Sequence, residues 1–162
     1  MATRAPDTPG RWSPLALFLT FGGAGYLPKM PGTWGSLAAL PPAALILWLG
    51  GGWALAAAGA LAIAAGAWAA QVYQARVGGH DPQEIVIDEV GGQWLALAPL
   101  ALDPLHFLVA FAAFRLFDTL KPWPINALER LPGGTGIMAD DAAAGLVAAA
   151  LGASGLYLTG QF

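Results

Sequence analysis

Five carboxylates stand where they can do chemistry: Asp88 and Glu89 at the start of one apolar segment, Asp118 at the end of another, and Asp140 and Asp141 at the start of the last. Gathered in one place they would repel one another unless a cation or basic side chains neutralised them. Mg²⁺ suits that task, because it takes hard oxygen ligands and keeps waters and substrate phosphate in its remaining positions. Lys29 in an upstream turn, and Arg115, Lys121 and Arg130 among the acids, can hold phosphate oxygens, Arg as a bidentate fork and Lys as a point charge. Together they predict metal-assisted handling of a phosphate group, with the five acids as catalytic and metal-binding candidates and the four bases as phosphate-binding candidates.

Each of these residues also has a purely structural reading. Asp140 and Asp141 can cap a helix and complement its dipole. Arg115, Asp118 and Lys121 have i, i+3 spacing and can form a salt-bridge row along a helix. Against that, ionisable groups near a membrane default to a functional reading, and here they recur at three helix ends. His80 is a further ligand candidate, while Asp81 and Glu84 read as loop-shaping residues beside the Asp81-Pro82 turn signal. His106, after Pro104, reads as structural or interfacial. Gly133, Gly134 and Gly136 can bring backbone N–H groups towards a phosphate.

The elements that must position these groups are apolar. Of the 162 residues, 57% are hydrophobic and 10% charged, where soluble proteins carry about a quarter charged, so the composition is that of a membrane protein. A net charge of -3 without a basic cluster excludes a nucleic-acid partner, and the absence of cysteine excludes disulfides, thiolate metal sites and cysteine-phosphatase chemistry. Residues 1–13 read as a loose lead-in without the pattern of a signal peptide. The expected architecture is all-α, a single membrane-embedded domain over 1–162. Five spanning helices are expected at about 36–49, 53–75, 89–102, 105–120 and 142–158, with a re-entrant or interfacial segment at 15–27 whose glycines weaken a helix. Ser36 is read as a cap, 28–35 as irregular backbone, and 125–139 as a glycine-rich loop opening with a short helix.

Five crossings bring Arg4, Arg11, Lys29, Arg76, Lys121 and Arg130 to one face, with Arg115 about one and a half turns below it, and leave only Asp103 and the C-terminus on the other. By the excess of basic residues, the charged face is cytoplasmic. The segments 89–102 and 105–120 would be about 21–24 Å long against a hydrocarbon core of about 30 Å, so their polar ends should sit near the lipid headgroups.

Four stretches in order, YLPKMPGTWGSLAALP, HDPQEIVIDEVGGQW, FRLFDTLKPWPI and GGTGIMADDAAAG, resemble the phosphatidylglycerophosphatase A family of bacterial membrane enzymes, from about Gly22 to Gly145. The resemblance implies Mg²⁺-dependent hydrolysis of the terminal phosphate of phosphatidylglycerophosphate to phosphatidylglycerol, in phospholipid biosynthesis at the inner membrane. It matches the acids at Asp88, Glu89, Asp118, Asp140 and Asp141 and the bases at Lys29, Arg115 and Lys121. Gly91 and Thr135 stand where bulkier apolar residues are expected.

The signatures of haloacid-dehalogenase-type, histidine-dependent and CDP-alcohol enzymes are absent. Attack by water or by a carboxylate both stay open. A small cation-binding or transport protein with a carboxylate-lined site is the alternative. It would need polar groups through the membrane thickness, and 36–49, 53–75 and 142–158 offer almost none.

Overall fold

The computed structural model describes residues 9–77 and 82–160, which places Arg4, His80 and Asp81 outside the described residues. Among the described residues the secondary structure is entirely helical: α1 (Pro14–Leu19), a 3-10 turn (Ala24–Tyr26), α2 (Pro31–Ala38), α3 (Leu40–Val77), α4 (Ile87–Leu97), α5 (Pro104–Leu120), α6 (Ile125–Leu128) and α7 (Gly134–Leu158). Two stretches are long and apolar enough to cross a membrane, Pro31–Val77 and Gly134–Leu158.

The segment 15–27 does not form a spanning helix. Ser13 caps α1 by accepting from the Ala16 N–H (3.3 Å), and the chain then coils back so that the Leu19 carbonyl accepts from the Val86 N–H at 2.9 Å. Residues 9–13 of the expected lead-in are tied down: the Tyr26 hydroxyl donates to the Arg11 carbonyl (2.8 Å), and the Arg11 guanidinium lies 4.2 Å from the Tyr26 ring centroid.

Two expected irregular stretches are irregular only in part: 28–30 and 129–133 are non-helical and the short helix expected at 125 is present as α6, but 31–35 and 134–139 are helical. Pro31 opens α2 at its first position, where a fixed φ and a missing N–H cost nothing. Ser36 therefore lies inside α2 rather than capping a helix, and its hydroxyl donates to the Gly32 carbonyl at 2.9 Å. Likewise α7 begins at Gly134, so Gly134 and Gly136 are helical, and Asp140 and Asp141 sit in the second turn instead of capping the first. Their reading as caps is corrected by this earlier start.

Gly51 breaks α3 with φ 70 and ψ -172, a conformation that only glycine adopts readily. Contacts on the two sides of it run in opposite senses along α4. Before it, Gly35 lies against Val86, and the Ala39 carbonyl accepts from Trp94 Nε1 at 2.9 Å. Beyond it, Gly52 lies against Ala98, Gly59 against Gly91 and Leu95, and Gly66 against Ile87. The chain thus turns back on itself at Gly51, between the exposed Trp48 and Trp53.

The core forms around α4, which is buried among α2, α3, α5 and α7. It reaches that depth through small residues: a Cβ on Gly145 of α7 would fall 2.3 Å from the Gly92 carbonyl, so the two backbones meet directly. At Gly91 the space of a bulkier residue is taken by the Ile63 side chain. At the far end Asp103 caps α5 by accepting from the Leu105 and His106 N–H groups at 2.8 and 3.3 Å, with Pro104 at the first helical position.

Candidate active site

The N-terminus of α4, the C-terminus of α5 and the first turns of α7 converge on a cavity of about 740 Å³. Its walls include Asp88, Glu89, Asp118, Lys121, Arg130, Asp140 and Asp141, together with Met30–Gly32 from the start of α2 and Gly133 and Gly136 at the start of α7. Seven of the nine site residues expected from sequence therefore share one chamber. Of the other two, Arg115 stands beside it through Asp118 and Gly32, whereas Lys29 is exposed in the turn before α2.

Asp88, Glu89 and Asp141 each present an oxygen within 4.8 Å of the others. Asp88 and Asp141 are buried, at 9% and 4% exposure, and the backbone N–H of Glu89 donates to Asp88 Oδ1 at 3.0 Å. Glu89 Oε2 and Asp141 Oδ2 are buried without a hydrogen-bond partner. Asp118 lines the same chamber beside this trio, close enough for its charge to act on Glu89 and Asp141.

Two of the basic groups, Arg115 and Lys121, pair with other acids. Arg115 Nη1 pairs with Asp118 Oδ2 at 2.6 Å and lies 3.5 Å from Ser36 Oγ. Lys121 Nζ pairs with Asp140 Oδ2 at 2.6 Å and also with Glu129. The expected salt-bridge row along α5 is thus half present: Arg115–Asp118 forms, while Lys121 turns across to α7, helped by its left-handed backbone (φ 43) at the end of α5. Burial alone would lower the Lys121 pKa, but its hydrogen bonds to Asp140 and Glu129 hold it above the usual lysine range.

Among the described residues, no basic nitrogen lies within ion-pair distance of the Asp88, Glu89 or Asp141 carboxylates. Three carboxylates this close, two of them buried, favour a counter-charge, and their hard oxygen donors fit a divalent cation. Arg130 is exposed at the cavity wall and forms no ion pair among the described residues.

Three participants were missed in the sequence. Glu129 holds Lys121, Ser36 meets Arg115, and Gln93 is fully buried with neither its Nε2 nor its Oε1 partnered, one turn along α4 from Glu89. For Gln93 the available signal was an amide at i+4 from a carboxylate in an otherwise apolar helix. Glu84, by contrast, acts as expected in its loop, accepting from the Tyr73 hydroxyl at 2.9 Å.

Residues 17–154 match the protein family described as phosphatidylglycerophosphatase A. The phosphatidylglycerophosphatase A of Escherichia coli K12 is 38% identical over 142 residues, covering 86% of this chain and 79% of the relative. That of Haemophilus influenzae Rd is 39% identical over 138 residues, covering 84% and 85%. A Bacteroides thetaiotaomicron protein, provisionally named a phosphatidylinositol-3-phosphatase, is 36% identical over 137 residues, covering 76% and 82%. No solved structure matches the chain. By sequence over nearly its whole length, the chain belongs to the phosphatidylglycerophosphatase A family of phosphatases.

Proposed function

We propose that this protein hydrolyses the terminal phosphate monoester of phosphatidylglycerophosphate to phosphatidylglycerol in phospholipid biosynthesis, with Mg²⁺ as its cofactor. The observation that carries this reading is the trio of Asp88, Glu89 and Asp141, two of them buried, with Glu89 Oε2 and Asp141 Oδ2 unpartnered and no ion pair to any of the three among the described residues, in the wall of a polar chamber. These three would hold the cation, with Asp118 beside them and Asp140 held back by Lys121. When bound, the cation supplies Lewis-acid stabilisation of charge developing on the transferring phosphoryl group. Arg130 reaches the phosphate from the open wall, Arg115 and Lys121 set the positive edge around Asp118 and Asp140, and Lys29 guides the anionic headgroup from the rim.

The whole chain acts as one membrane-embedded domain. Residues 31–50, residues 52–77, α4, α5 and α7 make five passes through a bacterial inner membrane, alternating in direction as the reversal at Gly51 requires. The chamber then opens on the cytoplasmic face, where Arg76, Lys121 and Arg130 lie. An α4 of 11 residues, about 16 Å long, carries its acids below the headgroup level, where a lipid phosphate can meet them.

The test is phosphate release from phosphatidylglycerophosphate by purified protein in detergent or vesicles. Turnover should need Mg²⁺, stop with EDTA and return on Mg²⁺ addition. Undiminished turnover in chelator would end the metal assignment, and a preference for phosphatidylinositol 3-phosphate would end the substrate assignment.

A further inference from the structure

A second cavity, about 590 Å³ and almost wholly apolar, lies between the start of the α2–α3 arm and α5, walled by Leu37, Leu40, Ala44, Phe107, Leu108 and Phe111. It ends at Asp103 and Pro104, the far end of α5 from the acidic chamber. On α5 the lining residues Pro104, Phe107, Leu108 and Phe111 form one helical stripe whose next member is Arg115, one turn above Phe111. On the facing arm, Ala44, Leu40 and Leu37 lead up the same way to Ser36, and Ser36 Oγ lies 3.5 Å from Arg115 Nη1. One turn above Ser36, Gly32 lines the acidic chamber. The groove and the chamber are therefore stacked along the same two helices, with the Ser36–Arg115 contact between them.

We propose that this groove binds one acyl chain of the lipid whose phosphate enters the chamber. This rests on the lipid-phosphatase reading above. From Arg115 to Pro104 is 11 residues of α5, about 16 Å, and one leaflet of a hydrocarbon core of about 30 Å is about 15 Å deep. The distance from the site to the far end of the groove is therefore about that spanned by one acyl chain. Its size lies within the range of ligand pockets, and its apolar lining leaves no polar group for a headgroup to contact except the Asp103 carboxylate, which already caps α5. Leu37 and Leu108, at 39% and 63% exposure, leave the groove open along its side, so a chain can enter laterally from the bilayer.

Full-length protein in phosphatidylcholine vesicles, with a trace of phosphatidylglycerophosphate carrying a diazirine midway along one acyl chain, tests this by photolabelling. Label should fall on the peptide containing Leu108 and Phe111 and be competed by unlabelled phosphatidylglycerophosphate. It should disappear in Ala44→Trp and Leu108→Trp, which fill the groove from opposite walls; Leu108 is exposed, so its replacement disturbs no core. Label spread equally over Leu61 or Leu146, or surviving both substitutions, would overturn the proposal. Kinetically, both variants should raise KM for the dioleoyl substrate by about tenfold or more, the loss of about two buried methylene groups, while sparing the dihexanoyl substrate. Equal loss on both substrates would also overturn it. A wild-type protein that hydrolyses neither would instead strike the functional reading, and photolabelling would still decide the groove.

Discussion

The backbone carbonyl of Asp141 sits against Gly92, 2.6 Å from where a Cβ on that glycine would lie. This contact between α4 and α7 sets Asp141 one turn from Asp88 and so assembles the acidic trio. Gly92→Ala should cost about 1–3 kcal/mol of stability by overpacking and abolish most activity, because the obstacle is backbone and Phe114 rather than a flexible side-chain end. Gly91→Ala meets the Ile63 side chain and should be milder. Thermal unfolding and phosphate release on both variants check this, and equal effects would show that the α4–α7 distance does not control the site.

Asp118 pairs with Arg115 at 2.6 Å while bordering Asp141. Asp118→Asn keeps the shape and removes the charge. It should cost about 1–3 kcal/mol of stability, as a charged hydrogen bond is lost. If Asp118 serves the cation, turnover should fall beyond the about 10–100-fold typical of residues acting behind a metal ligand. His106→Ala, at the opposite end of α5, is the control and should keep near-normal turnover. Hydrolysis by Asp118→Asn at the control's level would remove Asp118 from the site.

Lys121 links α5 to α7 through Asp140 and to Glu129. Its folded pKa is raised above the unfolded lysine value of about 10.4, so its contribution to stability is fully present below that value and is lost as pH climbs through the folded pKa. The difference in unfolding temperature between wild type and Lys121→Met should therefore stay constant from about pH 7 to 9. A difference that shrinks across that window would contradict the pairing.

The proposed five-pass arrangement would place Trp53 outside the cell and Asn126 inside. The chain contains no cysteine, so Trp53→Cys and Asn126→Cys each provide a unique label site. A membrane-impermeant maleimide added to intact cells should modify position 53, and position 126 only after permeabilisation. The reverse pattern would mean an inverted or miscounted topology.

The chemistry was legible in the sequence because charge is scarce in an apolar chain. Asp88, Glu89, Asp118, Asp140 and Asp141 stand out against the apolar runs they interrupt, and proline and glycine mark most of the turns. Helicity followed from long apolar runs, and the reversal at Gly51 from three consecutive glycines. Pairing was not legible, since which base meets which acid depends on helix rotation and depth. Lys121 could have paired along its own helix with Asp118 but crosses to Asp140, and Gln93 is buried without partners by its position on α4. The starts of α2 and α7 were likewise decided by packing. Local propensity reads 31–35 and 134–136 as loops, yet tertiary contact outweighs it, because the small residues there let Gly32 meet Glu89, Gly35 meet Val86 and Gly134 meet the Ala67 backbone.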